Sequence, residues 1–457
     1  MKKSSPPASF SGVLKSMLGS TFERDWVWPF CKLAIANTTS NLMVPLAGLI
    51  DTAFLGHLDS VRYLNGVALA SIIFNVIYWS FNFFRMGTTG PTAQAVGQQD
   101  TAQVWLIVVR NALLALGVGL VVWLLKDPIA AAGFSLLQAD ADTKLAGLDF
   151  YNGRVLGAPA VLVNFVLLGW LLGRSQGKQV VILAVIGNFS NIFLDYWFIR
   201  RLGMGSYGAG LATALSQYLM LSAGLILILA SGIPWHLWQT IKPRLWQPKA
   251  LKSLFALNLD ILIRTFALVI SMSLFTNLSS GMGSTVLGVN ALLMQIVLMA
   301  AHFMDGIALA VESYAGNFYG QRRSADLSRL LLLGAVGSVI LGLMISLTLL
   351  IWPAPFFGLL TVHSELLMQI PRYVVWLIPV LCFGAIAFTL DGYFLGLTAS
   401  RTLRNATLLA ALVGFLPLAL TASYLNSPHL LWFALSGLMF TRVATLARKV
   451  WPTLSAR

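Results

Sequence analysis

The sequence predicts an all-α integral membrane protein with twelve transmembrane helices in two pseudo-symmetric six-helix bundles. Three observations predict it: long apolar windows, a one-sided distribution of basic residues between them, and a repeat at a fixed offset. Hydrophobic residues make up 58% of the 457 positions and charged residues 10%, with a mean hydropathy of +0.80. A soluble domain carries roughly 25% charged residues. Glycine, at 39 residues, suits helices that approach closely in lipid.

In chain order, windows apolar enough to cross a bilayer fall at 29–55, 64–96, 102–125, 145–173, 179–200 and 206–232. Six more follow at 251–278, 285–319, 326–351, 366–398, 402–424 and 428–447. The stretch from Met1 to Asp25 lacks the apolar run and small-residue site of a cleavable leader, so the first span is expected to insert and stay. Of the 30 lysines and arginines, six then fall on the outer side: Arg62, Lys126, Lys144, Arg200, Arg201 and Arg372. Four lie within spans (Arg85, Arg110, Arg154 and Arg264), and the remaining twenty fall on the inner side. That bias places both termini in the cytoplasm. The net charge of +14 is therefore a topology signal, and no nucleic-acid partner is expected.

Gly97-Gln98 recurs as Gly320-Gln321, and Gly169-Trp170-Leu171-Leu172-Gly173 recurs as Gly392-Tyr393-Phe394-Leu395-Gly396, both 223 positions on. An offset of six spans keeps both halves in one membrane orientation, as in parallel-repeat transporters. The expected organisation is a cytoplasmic tail at 1–28, an N-lobe at 29–232, a cytoplasmic linker at 233–250, a C-lobe at 251–447 and a tail at 448–457. The linker region holds Pro234, Pro243 and Pro248 among Trp235, Trp238 and Trp246, and its tryptophans are expected at headgroup level.

The fifth span carries Asn188, Asn191 and Asp195, spaced i, i+3, i+7 and hence on one helix face. Asp51 lies in the first span. Carboxylates at membrane depth are costly and mark ion or proton paths. Two of them in a low-dielectric cavity repel each other and lose hydration, which favours proton uptake; fully ionised, they offer hard oxygens to a monovalent cation. Pro45, inside the first span, removes a backbone donor and is expected to kink or hinge that helix.

The C-terminal half has its own polar groups. Gln295, His302, Asp305 and Glu312 fall within an arc of about 100° on the eighth span. Asp260 and Arg264 are i, i+4 on the seventh and could neutralise each other. Asp391 lies in the tenth. Arg85, Arg110 and Arg154 sit within or at the ends of spans, where snorkelling is the default; Arg154 could instead partner a cavity carboxylate. Met272, Met294, Met299, Met304, Phe266 and Tyr393 could form a soft wall for flat cations, although helix packing or lipid contact explains any one of them.

HExxH, GxSxG and P-loop patterns are absent, and His57, His236, His302, His363 and His429 are scattered, so neither an enzyme nor a metal centre is expected. Two cysteines, Cys31 and Cys382, make no disulfide framework.

Several stretches carry a family resemblance. Pro45-Leu46-Ala47-Gly48-Leu49-Ile50-Asp51-Thr52-Ala53-Phe54-Leu55-Gly56-His57-Leu58 resembles the first helix of the multidrug and toxic compound extrusion (MATE) family. Arg85 to Ala95, Asp305-Gly306 with Val311-Glu312, and Leu390-Asp391-Gly392 resemble its DinF-like branch. The resemblance runs from about Leu33 to Arg448. It implies export of cationic or amphipathic organic compounds in exchange for protons, with sodium the alternative ion. It also implies an N-lobe cation site at Asp51, Asn191, Asp195 and Thr213, supported by Asn188 and Pro45. A second, C-lobe site is implied at Asp260, Gln295, His302, Asp305, Glu312 and Asp391. No cofactor is expected, and no metal beyond a sodium ion at the N-lobe site. The expected partners are small organic substrates and the lipid bilayer of a bacterial inner membrane, with the chain a monomer. A flippase or exporter of lipid-linked precursors is the alternative, but anionic headgroups call for several cavity Arg or Lys, and the mid-helix charges of the N-half are mainly Asp.

Overall fold

The structure, a computed structural model, describes residues 25–56, 60–230, 232, 235–361 and 363–455. The side chains of residues 44–47, 49, 51, 52, 235 and 455 lie outside that description. The described residues are helical, without strands. The spans are α1 Val27–Gly56, α2 Arg62–Gly97, α3 Thr101–Leu124, and α4, which is bent by 53° between Ala141–Val155 and Ala158–Gly173. Then come α5 Gly177–Arg201, α6 Gly205–Ala230, α7 Pro248–Gly281, α8 Ser284–Gly320, α9 Ser324–Ile351, α10 Ser364–Gly396 and α11 Ser400–Tyr424. The last is α12 Pro428–Ser455. These are the twelve spans read from hydropathy. Helix α12 runs on to Ser455, so the expected tail at 448–457 begins as helix, while the expected N-terminal tail lies outside the described residues up to position 24.

Local signals place the ends. Asp100 caps α3, its carboxylate accepting from the Gln103 N–H at 2.9 Å, which satisfies a donor the helix leaves open. Helix α2 ends at Gly97 in a Schellman turn: the Asp100 N–H reaches the Ala95 carbonyl and the Gln99 N–H the Val96 carbonyl. The same turn closes α8, through Arg323 to Phe318 and Arg322 to Tyr319. The left-handed residues of these turns recur at the repeat offset. Gln99 and Arg322 have φ of 58° and 61°, Ser175 and Thr398 both 56°, and Gly203 and Asn426 65° and 48°.

Packing repeats as well. Helix α1 packs on α5, as α7 does on α11; α4 packs on α2, α3 and α6, as α10 does on α8, α9 and α12. Where backbones touch, glycine is required because a Cβ would strike a carbonyl. Gly169 backs onto Arg85 and Gly392 onto Ala308; Gly173 backs onto Thr89 and Gly396 onto Glu312. Each second pair is the first moved by 223 positions. The bundles meet through α8 against α1 and α2, and α7 against α2.

The segment between the bundles is short turns of helix, Trp235–Leu237, Trp238–Ile241 and Lys242–Arg244. Arg110, read as a snorkelling residue, instead clamps this segment. It is buried in α3, donates to the Leu245 carbonyl at 2.9 Å and also reaches the Arg244 carbonyl. Ile241 and Leu245 bury against Leu106, while Trp238 and Trp246 stay exposed.

Candidate functional site

A cavity of about 510 Å³ lies between the two bundles. One stripe of α2 supplies Asn75, Tyr78, Asn82 and Arg85, spaced i, i+3, i+7, i+10 along a single helix face. Asn41 of α1, Arg154 and Asn164 of α4, and Thr213 and Gln217 of α6 complete the first bundle's share. The second bundle contributes Leu298, His302 and Asp305 of α8 and Phe388 of α10.

An ion pair across the bundles forms part of the lining. The Asp305 carboxylate accepts from Arg85 at 3.3 Å and from the Asn41 amide at 3.0 Å. Their side chains are 16% (Arg85) and 23% (Asp305) exposed, so the pair is partly desolvated and worth more than a surface bridge. The Arg154 guanidinium lies over the rings of Phe74, Phe150 and Tyr78 at 4.7, 5.5 and 5.7 Å.

Towards the Gly97 and Gly320 ends the bundles are sewn together. Asn37 donates to the Gly306 carbonyl at 3.4 Å, and Ser313 to the Leu172 carbonyl at 2.6 Å. The Ser175 and Ser313 hydroxyls lie 3.0 Å apart, and Gln94 donates to the Gly396 carbonyl at 2.8 Å. Gly97 backs onto the Asn317 carbonyl and Gly320 onto that of Gln94, again 223 positions apart. The cavity lies on the other side of this seam, nearer the starts of α2 and α8.

The expected N-lobe residues are distributed as follows. Asp51 and Pro45 lie on α1, their side chains outside the described ones. Asn191 is buried in α5 with its Nδ2 lacking a hydrogen-bond partner among the described residues, and Asp195, a turn on, is 0% exposed. Helix α5 packs between α1 and α6. Thr213 does line the cavity, its hydroxyl back-bonded to Ala209 at 3.0 Å. Asn188 is turned onto its own helix, donating to Ala184 at 2.6 Å. Asn191 and Asp195 are not among the residues that line the cavity.

The expected C-lobe set separates. Asp260 pairs with Arg404 at 2.5 Å and accepts from Ser400 at 2.9 Å, while Arg264 and Arg442 both bind Asp391. The expected Asp260–Arg264 pair does not form, because each finds a better-aimed partner on another helix. Arg442, counted with the inner-side cations, is buried. Glu312 is 1% exposed, with its Oε1 lacking a hydrogen-bond partner among the described residues. Gln295 is exposed and outside the cavity lining, so only His302 and Asp305 of the α8 set share a site. Met304 and Tyr393 are core residues; the methionines of the lining are Met86 and Met220. Among the described residues no three His, Cys, Asp or Glu gather as metal ligands. Arg85, read as a snorkelling residue, instead pairs with Asp305 across the bundles, and the sequence reading missed the amide stripe. The signal was present, since Arg85 sits well inside a long window and Asn75, Asn82 and Arg85 share its helical period.

Known proteins resemble this chain over nearly its whole length. The MatE family model matches residues 38–197 and again 261–421, two segments whose starts lie 223 positions apart. DNA damage-inducible protein F of Escherichia coli (strain K12) is 36% identical over 92% of this chain and 90% of its own length. A probable multidrug resistance protein NorM of Thermotoga maritima is 22% identical over 80% and 79%. Among solved structures, a MOP superfamily transporter from Pyrococcus furiosus superposes with a TM-score of 0.82 at 18% identity, covering 95% of this chain and 98% of that one. An outward-facing multidrug resistance MATE family transporter superposes with a TM-score of 0.80 at 19% identity, covering 96% and 98%. At such identities the two structures bear on the fold.

Proposed function

This chain belongs to the MatE family of membrane transporters and is not an enzyme, and from that membership we propose that it exports cationic or amphipathic organic compounds by alternating access, driven by cation exchange. The observation that carries the reading is the cavity between the two bundles, with the seam of Ser313–Leu172 and Gln94–Gly396 hydrogen bonds on one side of it. Amides and aromatic rings line it, a surface that accepts flat amphipathic molecules by stacking and hydrogen bonding. The lobes are taken as 29–232 and 251–447, with 233–250 between them. Both termini are taken as cytoplasmic in a bacterial inner membrane, with the seam on the cytoplasmic side and the cavity facing out. One chain carries both lobes and the cavity, so a monomer suffices.

Coupling is assigned to Asp51, Asn191, Asp195 and Thr213, with Asn188 and Pro45 in support. A carboxyl as buried as Asp195 at membrane depth is tolerable when it carries a proton or binds a cation. Proton uptake by Asp51 and Asp195 would remove their repulsion and let α1 bend at Pro45, shrinking the N-lobe side of the cavity as the substrate leaves. Protons are preferred over sodium, because sodium demands several dehydrated oxygens at once. Of the C-lobe residues, Asp305 is assigned to holding the lobes together; Asp260 and Asp391 are each engaged by arginines.

The two arginines in the lining lend some support to the alternative, transport of lipid-linked precursors with anionic headgroups. The engagement of Arg85 by Asp305 counts against it. Counterflow in proteoliposomes tests both readings. An imposed proton gradient without sodium should drive movement of an amphipathic cationic dye. Transport that needs sodium at every pH and ignores the proton gradient reassigns the ion; movement of a lipid-linked precursor with none of the dye reassigns the substrate.

A further inference from the structure

A second cavity, of about 540 Å³, opens between the start of α11 and the end of α12, at the same membrane end as the seam. Arg401 and Asn405 of α11 and Arg448 and Lys449 of α12 line its mouth, and Ala406 and Leu409 its wall. From its place and chemistry we propose that this cleft is a binding site for an anionic phospholipid of the surrounding bilayer, holding the headgroup phosphate at the basic mouth and an acyl chain along α11.

Charge is the first argument. Arg401, Arg448 and Lys449 form no ion pair among the described residues, and no acidic residue lines the cleft. The nearby carboxylates are already committed: Asp260 to Arg404, and Asp391 to Arg264 and Arg442. Three like charges lining one cleft without a counter-charge among the described residues repel one another, and a phosphate relieves that repulsion while accepting from the guanidiniums in pairs.

Shape is the second argument. Beyond the basic mouth the wall turns apolar, and along the same helix Leu409, Leu412 and Val413 are exposed to the bilayer. A free phosphate would use the mouth alone; a phospholipid uses mouth and wall together. Basic clefts between membrane helices on the cytoplasmic side suit anionic headgroups for these reasons. The site is independent of what the central cavity carries.

Native mass spectrometry of the purified full-length chain, titrated with lipid, tests the proposal. Phosphatidylglycerol should bind at least tenfold tighter than phosphatidylcholine, and inorganic phosphate should not displace it. Replacing Arg401, Arg448 and Lys449 together by Gln should remove the preference, with Arg401→Gln and Lys449→Gln, both at exposed positions, each removing part of it. Arg372→Gln, at the opposite membrane end, should leave it intact. Equal binding of the two lipids, or an unchanged preference in the triple variant and both single variants, overturns the proposal. Displacement by inorganic phosphate overturns the lipid as occupant and leaves a free-anion site.

Discussion

Asp195 and Asp305 are both carboxylates within spans, yet their surroundings differ. Asp195 is sealed within the first bundle on α5, whereas Asp305 faces the cavity and takes bonds from α1 and α2 across the bundle boundary. For coupling, Asp195→Asn and Asp51→Asn should each abolish gradient-driven efflux while leaving expression and folding near normal. An amide resembles the protonated carboxyl but cannot release a proton. Proteoliposome transport at wild-type rates in both variants would refute that assignment. For Asp305, the replacement Arg85→Gln removes a charge-assisted hydrogen bond worth about 1.5–3 kcal/mol. Because that bond joins the bundles, its loss should shift the balance of conformations away from the one described, by roughly tenfold or more. Labelling of a cysteine placed at Asn75, in a background lacking Cys31 and Cys382, should slow accordingly with an impermeant maleimide. An unchanged labelling rate would remove the pair from any role in holding the lobes.

At the scale of elements, glycines that look alike in sequence serve different joints. Gly392 of α10 backs onto α8 inside the second bundle, and Gly97 of α2 backs onto α8 across the seam. Adding a methyl where a carbonyl already sits forces a backbone shift costing about 1–3 kcal/mol. Gly392→Ala should therefore lower the melting temperature of the protein in detergent. Gly97→Ala should leave melting closer to wild type and instead disfavour closure of the seam. Equal loss of melting temperature in both would mean that the bundles do not behave as separate bodies. The bend of α4 at Gly157 and the clamp of Arg110 on the connecting segment likewise fix elements within the first bundle.

For the whole molecule, the proposal that transport needs the seam to open can be tested where Ser175 and Ser313 meet, 3.0 Å between hydroxyls. Cysteines at both positions, with Cys31 and Cys382 replaced by Ser, should form a disulfide across the bundles, which needs such proximity. Oxidation should stop transport and a reductant restore it. Undiminished transport in the fully cross-linked protein would exclude rocking of the bundles about the cavity.

Hydropathy, basic-residue bias and the 223-residue repeat were enough to determine twelve spans and two related bundles, because lipid requires every span to satisfy its own backbone and bury its own polarity. The same constraint made Asp195 and Asp305 legible as functional candidates. Partner choice was not legible. Asp260 and Arg264 have the spacing of a helix pair, but side chains from α10, α11 and α12 arrive at better angles, and which helix arrives is fixed only when the bundle closes. The cavity followed the same rule: Asn41, Arg85 and Asp305 are separated by 44 and 220 positions in sequence and became one cluster through the packing of α1 and α2 against α8. Periodicity along a helix records which face is polar; only the tertiary structure decided what that face meets.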